Sequence, residues 1–235
     1  MRPARGAVLA LALLLSACAG DPPAAPPTGG AADARGTPTS SASRAPSPQP
    51  ADTEGGPLLQ SLKRGGHVIF FRHAATVPGG DSDLQNLSNC AAQRNLSDRG
   101  RQQSEQIGAA FRRLAIPVDR VLSSALCRTV DTATLAFGRA EQTLDLTSLP
   151  QAGNDAEEQR RIEALRRLLS TAPPPGQNTV LVGHLFNIQR AAEISLAEGE
   201  AAVFAPGGEG RFEVVDTVSP EEWEALDQIP QPAPS

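Results

Sequence analysis

Apolar residues in this chain fall into two alternating patterns, short unbroken runs and stripes at helical spacing. The run Val68-Ile69-Phe70-Phe71, led in by Gly65-Gly66-His67, is β-branched and aromatic and bounded by glycines. It predicts a strand covered on both faces, as in a parallel sheet. Thr179-Val180-Leu181-Val182-Gly183 predicts a second strand of the same kind, and Asp119-Arg120-Val121-Leu122-Ser123-Ser124 a third. Between these runs the spacing changes. Ile107, Ala110, Phe111 and Leu114 mark one face of a helix with Ser97 as its N-cap, and Leu126, Val130, Ala133 and Phe137 mark the next. A short strand near Leu144, a helix over about 155–169, a helix after the second run, strands over 201–204 and 211–215, and a short helix opened by Pro220 complete the pattern. Strands alternating with helices predict an α/β fold, a three-layer α/β/α sandwich with a largely parallel central sheet. The strand order is not readable from the pattern.

The first quarter of the chain lacks such periodicity. Arg2 and Arg5, an apolar segment over 7–15 and then Ser16-Ala17-Cys18 describe a secretory leader, too short to span a membrane. Leu15-Ser16-Ala17-Cys18 resembles a bacterial lipobox, so residues 1–18 are read as a leader cleaved before a lipidated Cys18; an ordinary leader with an incidental cysteine is the alternative. Residues 19–56 are rich in Pro, Ala, Ser, Gly and Thr and cannot bury enough apolar surface to offset ordering entropy. They read as a tether with a reach on the order of 35 Å. The folded domain is then expected over 57–230, exported and held at a membrane by its lipid.

Charge narrows the partners. A net charge of −5 with scattered arginines forms no basic stripe, which argues against nucleic acid. Lys63 is the only lysine, so most arginines read as solvated helix faces. With Cys18 lipidated, Cys90 and Cys127 remain. An oxidising compartment allows them to pair, closing a loop of about 37 residues and stabilising by roughly 3–4 kcal/mol; two separate buried thiols are the alternative.

Two of the three histidines, His73 after Arg72 and His184 after Gly183, end predicted buried strands, and Arg128 lies just beyond the end of a third. Side chains at the carboxyl ends of such strands meet a crevice. His67, at the start of its strand, reads as a structural hydrogen-bonder. Two histidines and two arginines without a carboxylate cluster describe a cationic pocket for a phosphoryl dianion, because guanidinium forks bind phosphate oxygens in pairs. Positive neighbours also keep an imidazole unprotonated and nucleophilic. Three histidines without clustered Asp/His pairs supply too few ligands for a metal phosphoesterase.

The motifs add a resemblance. Arg72-His73-Ala74-Ala75-Thr76 resembles the RHG-x-[ST] signature of the histidine phosphatase superfamily, the phosphoglycerate-mutase-like fold. Leu96-Ser97 through Gly100 to Gln103 is similar to its L-[ST]-x-x-G-x-x-Q segment, Ser123-Ser124 through Arg128 to Thr132-Ala133 to S-S-x-x-x-R-x-x-x-T-A, and Gly183-His184 to its late G-H motif. The resemblance implies that His73 is phosphorylated during turnover and that Arg72, Arg128 and His184 hold the phosphoryl group. It adds Thr76, Arg94, Asn95 and Asn187 as substrate contacts, and implies no cofactor and no metal. Two departures stand out. Ala74 replaces the usual glycine, which is tolerated unless the backbone needs a positive φ. Leu185 follows the late histidine where the acid phosphatase branch has Asp, so the mutase-like branch, branch 1, fits better. That branch's glutamate acid is not recognisable, and Asp155 is assigned as proton donor. The expected function is a phosphomonoester hydrolase acting on a phosphorylated small molecule, an envelope glycan or a phosphoprotein. The alternatives are a mutase-type phosphotransferase and a non-catalytic lipoprotein that binds a phosphorylated ligand.

Overall fold

The computed structural model describes residues 56–148 and 155–228. The expected leader, Cys18 and nearly all of the tether lie outside them, as do 229 and 230. The chain runs α1 (Pro57–Arg64), β1 (Val68–Arg72), a 3-10 turn (Cys90–Ala92), α2 (Asp98–Arg113), β2 (Val118–Ser124), α3 (Cys127–Phe137) and β3 (Glu141–Thr143). A second 3-10 turn (Leu144–Leu146), α4 (Asp155–Ser170), β4 (Asn178–Gly183), α5 (Leu185–Ala192), β5 (Ala201–Gly208), β6 (Arg211–Val218) and α6 (Pro220–Ala225) follow. The alternation read from the sequence is present, with α1 in addition. The strand expected near Leu144 lies just before it, and Leu144 itself begins a turn that Thr143 Oγ1 caps by accepting from Asp145 N.

The strands form one sheet in the order β3-β2-β4-β1-β5-β6. β3, β2, β4 and β1 are mutually parallel, while β5 and β6 are antiparallel to their neighbours. Because strand side chains alternate, β1 feeds both faces. Ile69 and Phe71 pack with Val121, Val180 and Val182 under α1, α2, α3 and α6, around Phe111 and Trp223. Val68 and Phe70 pack with Leu122, Leu181 and Phe204 under α4 and α5, against Ile162, Leu165 and Ile188. All four β1 apolar residues are at most 1 % exposed, which is why the run is unbroken. The result is the expected α/β/α sandwich.

The pairing that matters for function is β1 against β4. The parallel register sets Arg72 opposite Gly183, and His73 N donates to Gly183 O at 3.0 Å. The residues that follow, His73 and His184, therefore leave the sheet side by side.

Candidate active site

His73 is 2 % exposed, and its Nδ1 lies 2.9 Å from Ala74 O. A carbonyl oxygen only accepts, so Nδ1 carries the hydrogen and the neutral ring keeps its lone pair on Nε2. Burial is the main force lowering the His73 pKa to about 4; the Ala74 hydrogen bond opposes it, and the charges of Arg128 and Arg72 reinforce it. The ring is thus neutral at physiological pH. His184 sits edge-on to it with ring centroids 5.5 Å apart, and its Nε2 shares a 2.9 Å hydrogen bond with Ser124 Oγ. Full burial, then the neighbouring His73 and Arg128, push its pKa far down.

The four motifs act as a scaffold for this pair. Ser97 Oγ caps α2 by accepting from Gly100 N, and the Ser97 backbone and hydroxyl both donate to Ala75 O. A Cβ on Gly100 would fall 1.9 Å from Ala75 O, so only glycine lets α2 pack this close behind His73. Gln103 Oε1 accepts from Ala75 N at 3.0 Å. Thr132 Oγ1 donates to Arg128 O and accepts from Ala74 N at 3.0 Å, which fixes α3 to the residue after His73. Ala74 itself is fully buried and is not among the described non-glycine residues with positive φ, so its methyl is accommodated.

Arg128 lies in the first turn of α3 and is 4 % exposed. Its Nη1 donates to Asp81 Oδ1 at 2.9 Å, and Asp81 Oδ1 also accepts from Arg94 N at 2.8 Å. Arg72 Nη1 donates to Leu196 O, and its Nη2 lies 3.6 Å from Glu198 Oε1. The Nε atoms of Arg72 and Arg128 are buried and meet no protein acceptor among the described residues, leaving donors for an anion. Cys90 and Cys127 form a disulfide, with Cα atoms 5.7 Å apart, that ties the loop carrying Asp81 and Arg94 to the start of α3.

The site contains two carboxylates, Asp81 and Glu198, that the sequence reading does not assign to it. Asp81 holds Arg128. Glu198 Oε1 accepts from Thr76 Oγ1 at 2.7 Å and lies 3.5 Å from Arg94 Nη1 and 4.0 Å from His73 Nδ1, while Oε2 accepts from Thr76 N at 3.2 Å. Burial pushes the Glu198 carboxyl up, but the Thr76 hydroxyl and amide hydrogen bonds outweigh it, helped by His73 and Arg72, and the net position is below the usual range. Neither residue belongs to a motif. Each is one acid among several in a polar stretch, Asp81 near Asp83 and Glu198 beside Glu200, and its selection depends on where the loop returns.

Thr76 and Arg94 thus reach the site through Glu198. Asn95 Nδ2 donates to Cys90 O and Gln93 O, which shapes its own loop. Asn187 is buried and its Nδ2 donates to Thr147 O, joining α5 to the segment after the second 3-10 turn. Asp155 opens α4 with an exposed side chain and has no hydrogen bond or ion pair to the residues around His73. His67 Nε2 pairs with Ser61 Oγ at 2.8 Å. The assembled centre holds three guanidinium groups, two carboxylates and two neutral imidazoles at the carboxyl ends of β1 and β4. That arrangement can bind a phosphoryl dianion and present it with an unprotonated nitrogen nucleophile.

The chain is similar in part to proteins already described. Residues 68–151 match the model of the histidine phosphatase superfamily (branch 1), the family that the motifs around His73, Gly100 and Arg128 resemble. The chain is 33 % identical over 79 residues to the mitochondrial serine/threonine-protein phosphatase Pgam5 of Drosophila grimshawi, a stretch covering 34 % of this chain and 25 % of that protein. The match therefore spans about a quarter of the curated relative's length. Among solved structures, the protein histidine phosphatase SixA complexed with tungstate is 16 % identical, covering 66 % of this chain and 98 % of that one at a TM-score of 0.47. A phosphoserine phosphatase from Entamoeba histolytica, in complex with 3-phosphoglyceric acid, is 14 % identical, covering 64 % and 95 % at a TM-score of 0.43.

Proposed function

We propose that this chain, whose β1, α2, α3 and β3 lie within the histidine phosphatase match, is a cofactor-independent phosphomonoester hydrolase that works through a phosphohistidine at His73. The state of His73 carries the reading. A buried imidazole, held neutral and with Nδ1–H tied to Ala74 O, has its lone pair on Nε2 and no competing proton. In the first step Nε2 bonds to phosphorus as the bond from phosphorus to the ester oxygen breaks. That oxygen leaves with the electron pair and takes up a proton, from water or from an acid such as Asp155. In the second step water attacks phosphorus and gives up a proton, and the N–P electron pair returns to Nε2. Arg72, Arg128 and His184 would stabilise the equatorial oxygens, where charge builds in the transition state.

In this reading the domain is exported and anchored through Cys18, and a structural disulfide is in keeping with an oxidising compartment. Its substrates there would be phosphorylated small molecules, envelope glycans or phosphoproteins. The test is hydrolysis of an aryl phosphate by the purified chain, with and without a chelator, beside His73→Ala. The expected result is chelator-resistant turnover that vanishes in the variant, with an acid-labile, alkali-stable phosphoenzyme in the parent. A parent that folds but neither turns over nor phosphorylates would replace this reading with that of a phosphate-binding lipoprotein.

A further inference from the structure

We infer that Glu198 is a positioning residue that stabilises the phosphorylated form of His73, its carboxylate facing the ring from the side opposite the phosphorus. The inference rests on the phosphohistidine reading above and deepens it. When Nε2 bonds to phosphorus, the ring keeps the Nδ1 hydrogen and acquires a positive charge. The pocket is poorly suited to that charge: the ring is buried, and Arg72 and Arg128 both oppose it. His184 is neutral, and Asp81 is engaged with Arg128. Arg94 reaches Glu198 rather than the ring. Of the two carboxylates of the site, Glu198 is the one in contact range of the ring, with Oε1 4.0 Å from Nδ1.

Its position is fixed from several directions. Both carboxylate oxygens accept hydrogen bonds from Thr76, three residues beyond His73. On the main chain, Gly199 N donates to His73 O at 3.0 Å, and Gln103 Nε2, whose side chain also holds Ala75 N, donates to Glu198 O at 3.4 Å. Gly199 has φ +83°, and a Cβ there would meet Gln103, so the backbone beside Glu198 is specified by the same contacts that hold the nucleophile. A fixed negative charge near Nδ1 does little for the neutral ring and much for the charged one. That is the differential stabilisation that raises a rate.

The test compares the parent with Glu198→Gln, Glu198→Asp and Thr76→Val on an aryl and an alkyl phosphate, by steady-state kinetics and by quenching the acid-labile phosphoenzyme. Glu198→Gln is expected to slow phosphoenzyme formation and kcat on the order of 10–100-fold for both substrates, since a unit charge at about 4 Å is involved but Arg72 and Arg94 share its field. KM should stay level or fall, because the arginines remain and an anion has been removed. Glu198→Asp should recover part of the rate, and Thr76→Val should lose less than Glu198→Gln. The acid limb of kcat/KM should move to lower pH in Glu198→Gln, because Glu198 raises the His73 pKa; a merely structural defect would leave the limb in place. If the glutamine variant does not fold, the aspartate and Thr76→Val variants carry the same comparison. A kcat within twofold of the parent, a loss seen only in KM, or a loss that grows with the basicity of the leaving oxygen would each overturn the assignment while leaving the phosphohistidine intact. A parent that forms no phosphoenzyme overturns both.

Discussion

Replacing Cys90 and Cys127 together by serine should lower stability by about 4 kcal/mol, because the disulfide spans 37 residues and the chain-entropy relation gives nearly that value for a loop of this length. For a domain of this size that loss corresponds to a fall in Tm of roughly 8–15 °C. The effect should also reach the site. The closed loop carries Arg94 and ends one residue before Arg128, and Asp81 Oδ1, from the segment just before Cys90, joins Arg128 Nη1 to Arg94 N. Cys127 is next to Arg128, and its own amide donates to Gln93 Oε1 in the same loop. Without the crosslink, fewer molecules hold Arg94 and Arg128 in place, so KM for a phosphomonoester should rise more than kcat falls. The assay is a melting curve and a kinetic titration of the parent, with and without a reductant, beside the double serine variant, with intact mass to verify full reduction. A fully reduced parent that melts within about 2 °C of the oxidised protein, where the chain-entropy relation requires several times that, would refute the reasoning.

Stability should also fall between neutral and acid pH. The His73 pKa is about 4 in the folded chain against 6.5 when unfolded, so within that window the unfolded chain binds the extra proton and unfolding is favoured as pH drops. His73 alone accounts for about 3 kcal/mol, present above pH 6.5 and lost by pH 4, and His184 acts in the same direction. Urea midpoints of the parent and of His73→Gln across this range check it; an equal slope in both would contradict the assignment. Gly100→Ala should destabilise by about 2 kcal/mol or more and lower turnover together, since its Cβ would overlap Ala75 O and displace the residues after His73. Thermal melting and aryl phosphate turnover measured side by side test the coupling, and an alanine variant with parental values in both would show that α2 can retreat without moving the site.

Much of this protein is determined by its sequence alone. Unbroken apolar runs ended by Arg72-His73 and Gly183-His184 declare buried strands with chemistry at their ends, because a strand covered on both faces has no polar alternation to offer. Local spacing also places the caps and anchors: Ser97, Gly100 and Gln103 lie along the start of one helix, and Ser124, Arg128 and Thr132 along one strand-to-helix turn. Tertiary structure alone decided that β1 lies beside β4, which turns two histidines far apart in sequence into a pair with ring centroids 5.5 Å apart. Strand order depends on long-range packing, and no periodicity records it. The same holds for the carboxylates. Asp81 and Glu198 sit in loops whose composition is ordinary, and they become part of the centre only because the chain folds those loops back over Arg128 and His73. Cysteine arithmetic raised the Cys90–Cys127 pairing as one of two possibilities; the approach of their Cα atoms to 5.7 Å, which only the fold can bring about, settled it.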